Sequence, residues 1–388
     1  MKSNLIAYLG ISGLLSLGNW ILLLLPNYLA ERHWSSQEIG WAIGCFFLVN
    51  LVFQIISGPL AHRRGNLSTA LAGSGLGLVG GIFYLGTFWH TGLIFPARVF
   101  HAAGAAMVFA GALMELVKSV PPRLRGRMIG YYGLPGFVMM GVGPMASEWF
   151  VYRWGFGTIF GAIILIYAVL ALILSRLPRP LATGVPPQPF SEAFRDSVLR
   201  LRSILVLSVF FGLCFSAWNS FLAPAVRSVG PGAVSSFGLG YGIGAVITRL
   251  GTSNWLESPS RRLASISTLL LYSLSLALIP FAVTIWHLIL LGLVCGMVHG
   301  TYYPSLSSIA AERFHPLHAG QALSLYVSAS GIGMFVGPPL WGAVVDLAGY
   351  RVMFAASGVV LALNAILFVA WQRRSKQLRT SSRSAVYH

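Results

Sequence analysis

The chain has 388 residues, of which 56% are hydrophobic and only 9% charged, against roughly a quarter charged in a soluble domain. Apolar runs of about 20 residues or more recur along its length, each able to cross a bilayer as a helix, which excludes a soluble enzyme, a β-barrel or a disordered chain as the main architecture. The formal net charge is +17, but the basic residues are scattered through short loops, which argues against a nucleic-acid-binding surface.

Met1-Lys2-Ser3-Asn4 leads straight into the first apolar segment, which is too long for a cleaved signal and is expected to be a membrane span. Spans are predicted at 5–29, 37–60, 68–88, 93–117, 127–150 and 156–175, then at 203–225, 234–253, 263–282, 286–310, 321–345 and 351–371. The organisation expected is an N-terminal six-helix bundle over 1–176, a cytoplasmic linker over 177–202, a C-terminal six-helix bundle over 203–372 and a basic cytoplasmic tail over 373–388. The linker contains Pro178, Pro180, Pro186, Pro187 and Pro189, and Ser191 is placed to cap a short helix carrying Phe194 and Val198, unless the segment is simply solvated. With both termini inside, 21 of the 26 Lys and Arg residues fall in inner loops and four in outer ones, leaving Arg98 within a span. Both termini are therefore expected on the cytoplasmic side. Cys45, Cys214 and Cys295 each lie in an apolar run, which supports neither disulfides nor a zinc site, and no metal or other cofactor is expected.

The two halves repeat. Gly143-Pro144, Gly155-Phe156 and Phe160 are followed 194 residues later by Gly337-Pro338, Gly349-Tyr350 and Phe354, and Pro122, Gly126 and Tyr132 match Pro316, Gly320 and Tyr326 at the same offset. Trp20 and Pro26 match Trp218 and Pro224 at an offset of 198. So many co-registered matches indicate duplication, and two six-helix repeats imply a central cavity at their interface, opened alternately to either side. The expected fold is an all-α membrane protein with twelve transmembrane helices in two pseudo-symmetric six-helix bundles around that cavity.

Three local patterns carry a resemblance to a known family. The loop after the second span reads Gly58-Pro59-Leu60-Ala61-His62-Arg63-Arg64-Gly65-Asn66; span 4 contains Arg98-Val99-Phe100-His101-Ala102-Ala103-Gly104-Ala105-Ala106; span 5 carries Gly141-Val142-Gly143-Pro144 before Ser147-Glu148. These are similar to the G-x-L-A-D-R-x-G-R, R-x-x-Q-G-x-G-A-A and G-x-x-x-G-P-x-x-G-G signatures of the major facilitator superfamily, and over essentially its whole length the chain resembles the drug and sugar efflux, proton antiporter, branches of that family. It departs from them where His62 replaces Asp, Asn66 replaces Arg, His101 replaces Gln and Ala102 replaces Gly. Met139 and Ser147-Glu148 stand where the third pattern has glycines.

The resemblance implies a secondary active transporter working by alternating access, with proton-coupled efflux of a small organic solute as the favoured mode. A proton-coupled importer or a uniporter of the same family is the alternative, and a membrane receptor or enzyme a remote one. It also implies that spans 1, 4, 7 and 10 surround the cavity, which selects Asn19, Trp20, Arg98, His101, Trp218, Asn219, His299, Tyr302 and Tyr303 as substrate or coupling candidates. Asn50 and Gln54, one helical turn apart on span 2, join them. An arginine inside an apolar helix costs up to about 2.5–3.5 kcal/mol unless it meets water or a partner, so Arg98 is expected to face the cavity, or else to snorkel outward. Arg98 and His101, three residues apart, are expected to form a coupling centre. The bland reading is that the amides bridge helices and the aromatic residues pack. Gating candidates are Gly58, Arg63, Arg64, Gly65, Glu115, Gly143, Pro144, Gly337 and Pro338, with Glu115 expected to pair with Arg63 or Arg64. Expected partners are a small-molecule substrate, protons and the lipid bilayer, with no nucleic acid. The chain is expected to be a monomer in a bacterial inner membrane.

Overall fold

The computed structural model describes residues 2–121, 124–178, 193–251, 261–311 and 319–384. They form α1 (Lys2–Trp20), α2 (Leu25–Ala30), α3 (Ser36–Arg64), α4 (Asn66–Gly86), α5 (Ile94–Lys118), α6 (Arg125–Trp154), α7 (Phe156–Arg176), α8 (Ala193–Ala225), α9 (Ala233–Gly251), α10 (Arg261–Leu278), α11 (Ile285–Ala311) and α12 (Ala319–Ser384). No strand occurs among the described residues. α1 and α2 make a single pass over Leu5–Ala30, re-started by Pro26 in the first turn of α2, where a missing N–H costs nothing. α12 contains two passes, divided at Gly349. The chain therefore has twelve helical passes among the described residues, six in each half.

The glycine repeat has a conformational cause. Gly155, between α6 and α7, has φ 81° and ψ 176°, and Gly349 has φ 80° and ψ 172°. Side-chain-bearing residues rarely adopt this backbone, so both corners demand glycine and the demand recurs after 194 residues. Gly65, with φ 89°, makes the one-residue corner between α3 and α4.

Within the first half, α4 packs on α5 and α7, and α1 on α6; within the second, α8 packs on α12, α9 on α11, and α10 on α11 and α12. The halves meet where α3 crosses α12 and α6 crosses α9. Leu165, Ile247, Val359 and Ile366 are all more than half exposed, as expected of side chains facing lipid.

Two expected boundaries are corrected. α8 begins at Ala193, inside the segment read as linker, and α12 runs through most of the expected tail to Ser384. Hydropathy locates the membrane-embedded part of a helix. The charged flanks at 193–202 and 373–384 contain neither Gly nor Pro, so nothing stops the helix where the apolar run does. Ser191, proposed as a cap, lies outside the described residues, as do Pro122 and Pro316 of the repeat.

A cavity between the two bundles

At the end of the bundles away from the chain termini, the halves are tied by a two-fold set of bonds. Asp346 of α12 accepts from the N-terminal amides of α3, Ser36 N at 2.8 Å and Gln37 N at 2.9 Å. Glu148 of α6 accepts from the first turn of α9, Val234 N at 3.1 Å and Ser235 N at 3.0 Å. The donors correspond between the halves at an offset of 198, while the acceptors, on helices that repeat at 194, stand one helical turn apart in register. Each carboxylate satisfies amides that a helix start leaves without partners, and its charge suits the positive end of the helix dipole. An exposed ion pair, Arg227 to Glu31 at 3.1 Å, lies at the same end and adds little in solvent.

Beneath these bonds lie the Gly-Pro pairs. Gly143 sits against Trp20 of α1, and the Pro144 ring packs on Gly238 of α9; Gly337 sits against Ser216 of α8, and the Pro338 backbone lies on Gly40 of α3. A Cβ at Gly40 or Gly143 would collide with its neighbour. Small residues allow this close helix approach. Below them Trp20 and Trp218 stack across the interface, ring centroids 5.9 Å apart and planes within 3°. Trp218 is buried and donates from Nε1 to Tyr272 Oη at 3.0 Å.

Beside the tryptophan pair, with Trp20 in its wall, lies a cavity of about 330 Å³ walled by both halves, at the small end of the range for ligand sites. Asn19, Trp20, Arg98, Asn219 and His299 line it together with Phe46, Phe47, Phe137 and Phe215. Gly133 and Gly136 of α6 line its side toward the chain termini. Gly130, about one turn further that way, has nothing within 4 Å of where a Cβ would stand.

Arg98 is 7% exposed. Its Nε donates to Ala42 O at 3.2 Å, Nη2 to Ile43 O at 3.3 Å and Nη1 to Tyr84 Oη at 3.4 Å, and the guanidinium carbon stands 4.5 Å from the Phe46 ring centre. No carboxylate among the described residues forms an ion pair with it. His299 is partly exposed in the opposite wall. Its Nδ1 bonds the Tyr241 hydroxyl, and its ring meets Phe137 of the other half edge-on at 5.6 Å.

His101 does not line the cavity, which corrects its expected place in the pathway, although the Tyr84 hydroxyl and the Phe46 ring each contact both it and Arg98. It is fully buried inside the first bundle, its Nδ1 3.2 Å from Tyr84 Oη, its ring edge-on to Phe46 and Tyr167, and its Nε2 without a partner. Three helical residues turn the chain by 300°, so His101 lies about 60° round α5 from Arg98 and faces α4 and α7. Asn50 and Gln54 do not line the cavity either. Gln54 donates to Asn50 Oδ1 at 2.6 Å and Asn50 to Ala102 O at 3.3 Å, so the pair bridges α3 to α5. Tyr302 is buried between Phe211 and Phe368, while Tyr303 packs on His299 and Tyr326.

The expected pairing of Glu115 with Arg63 or Arg64 is also corrected. Glu115 is buried and accepts from Asn66 Nδ2 at 2.8 Å, whereas both arginines are exposed. The residue standing where the family pattern has its second arginine thus supplies the acid's partner within the first bundle. Gly58 has open space around its Cβ position. The roles of Glu148 and Asp346 were missed in the sequence. So were the four phenylalanines of the wall, which nothing in the sequence distinguishes from lipid-facing ones.

This geometry of two related six-helix bundles around a shared cavity is that of a membrane transporter. A profile of the Major Facilitator Superfamily matches residues 5–262 and again 228–386, and the chain belongs to that family. It is 25% identical over 370 residues to the quinolone resistance protein NorA of Staphylococcus aureus (strain COL), with 92% of this chain and 93% of NorA covered. It is 21% identical over 350 residues to the staphylopine export protein of Staphylococcus aureus (strain Mu50 / ATCC 700699), covering 84% and 85%. Among solved structures, the nucleoside transporter NupG superposes with a TM-score of 0.78 at 15% identity, covering 95% of this chain and 99% of that one, a likeness of fold alone.

Proposed function

We propose that this transporter exports a small organic solute in exchange for protons across a bacterial inner membrane, as a monomer with both termini in the cytoplasm. The orientation follows from the 21 basic residues expected in the loops on the side of the termini. On that reading the bonded end faces outward, which leaves the cytoplasmic end for access, the state in which an exporter collects its cargo. Export is supported by the likeness to NorA and the staphylopine export protein.

The observation that carries the coupling is His299. It is the histidine in the cavity wall, it has one ring nitrogen tied to Tyr241, and histidine is the side chain whose ordinary pKa lies near physiological pH. Arg98 brings a guanidinium to the same cavity. A proton arriving on the imidazole would place a second positive charge in the same cavity and change its affinity for cargo. The test is solute uptake into everted vesicles with a panel of organic compounds, with and without an imposed pH gradient. Accumulation that collapses with the gradient supports exchange. Accumulation in right-side-out vesicles alone assigns import, and equilibration without accumulation assigns a uniporter.

A further inference from the structure

We propose that the cargo is an organic anion, held by Arg98 at its charged end and by the aromatic wall at its other end. This rests on the reading of the cavity as the cargo site. Its lining contains a guanidinium and no Asp or Glu, and among the described residues Arg98 has only two carbonyls, a hydroxyl and a ring face as partners. Three of its five N–H groups are used, leaving one on each Nη for a ligand. A buried permanent charge that meets only dipoles is poorly compensated, and a carboxylate or similar oxyanion supplies the missing charge in the geometry that guanidinium matches best. Asn19 and Asn219, also in the wall, add amide N–H donors. The same electrostatics reject a cation: with no carboxylate in the lining, an amine would meet Arg98 with nothing to offset the repulsion. Phe46 and the phenylalanines opposite it favour an apolar, preferably aromatic body.

The class is read by three probes that share one scaffold: 4-phenylbutyrate, its neutral amide and the corresponding 4-phenylbutylamine. Acetate, the charge without the ring, is the fourth. Binding to the purified full-length protein in nanodiscs at pH 7.5 is measured by calorimetry. 4-Phenylbutyrate is expected to bind at least tenfold more tightly than the amide and than acetate, with the amine weakest. Arg98→Gln should erase the preference over the amide, and Arg98→Lys should keep part of it. The wild-type ranking needs no variant to fold, and monodispersity of each variant is checked separately. Amine binding equal to that of the carboxylate, no binding of the carboxylate, or an unchanged preference in a folded Arg98→Gln protein would each overturn the proposal. Transport in vesicles separates this from the export reading: carriage of the amine but not the carboxylate sinks the anion and leaves transport intact. Anion binding without proton-driven movement of any of these probes removes the coupling and leaves the anion.

Discussion

The amino-terminal bundle brings a cation, Arg98, to the cavity lining and encloses His101; the carboxy-terminal bundle brings His299, and none of its arginines is in that lining. The positions correspond. Arg98 and Gly296, His101 and His299, and Ile43 and Tyr241 are each separated by 198 residues. In the first half Arg98 reaches across the crossing of α5 and α3 to the Ile43 carbonyl. In the second, Gly296 lets α11 approach α9 until a Cβ would strike the Tyr241 backbone, and the Tyr241 hydroxyl meets His299 instead. Duplication supplied the same scaffold twice, and one residue at a helix crossing decides which chemistry reaches the cavity.

The most demanding test of that contrast exchanges the histidines' fates. His299→Gln is expected to abolish accumulation driven by a pH gradient, with the concentration ratio falling to that of vesicles without one. His101→Gln should keep coupling and instead lower stability by about 1–2 kcal/mol, because it disturbs a buried hydrogen bond and the packing around it. Reconstituted transport together with thermal unfolding distinguishes the two. Loss of coupling in His101→Gln with His299→Gln unaffected would reverse the assignment.

Gly296 offers a purely steric version. Gly296→Ala should destabilise the protein by about 1–3 kcal/mol, the usual cost of overpacking a well-packed site. Gly161→Ala on α7, where nothing stands within 4 Å of the new Cβ, should be tolerated. Unfolding temperatures of the two variants measured side by side decide this, and equal values would mean that the crossing can open without cost.

Parts of this were legible in the sequence and parts were not, for physical reasons. The corners at Gly155 and Gly349 show as repeated glycines because a positive φ excludes other residues. The Gly-Pro pairs show because close helix approach selects for small side chains. Arg98 stands out because an arginine in an apolar run must find polar company. That Arg98 reaches the cavity while His101, bonded to the same Tyr84 hydroxyl, does not was not visible, since a 60° difference on one helix matters only once the direction of each neighbour is known. The bonds made by Asp346 join residues 309 and 310 positions apart, and no local pattern announces a partner at that distance. A helix carrying Phe194 and Val198 was legible, but its continuity with the seventh span was not, because a charged helical flank and a polar linker share the same composition.

The carboxylates at the bonded end set up a gentler experiment. Asp346→Asn and Glu148→Gln each remove the charge from a contact with helix N-terminal amides, worth about 0.3–1 kcal/mol apiece. Each should therefore shift the balance toward the state open at that end by up to about fivefold, and the double variant by the product if the two act independently. Spin labels on cysteines at Trp89 and Val283, both strongly exposed, report the distance between the halves there, in a background lacking the three native cysteines. A distribution unchanged in the double variant would mean that the glycine and proline packing holds this end closed without help from the acids.

Glu115 is the carboxylate against which those two are best judged. It accepts a hydrogen bond as they do and is buried like Glu148, whereas Asp346 is exposed, but its partner Asn66 belongs to the same bundle. A contact that moves as one piece with its bundle is made equally in every state of an alternating cycle, and such a contact cannot shift the populations. Glu115→Gln can still accept from Asn66 through its amide oxygen and loses only the added strength of a charged acceptor. The spin-label distribution should therefore move by less than about twofold, on the order of 0.4 kcal/mol or below. Substituting Arg63 and Arg64 by Gln should likewise leave the distribution where it was, because neither approaches Glu115 in this state. A fivefold shift from Glu115→Gln, matched by the double arginine variant, would mean that the acid exchanges Asn66 for an arginine when the bundles rock. Its role would then lie in the opposite state, at the end of the bundles that carries the termini.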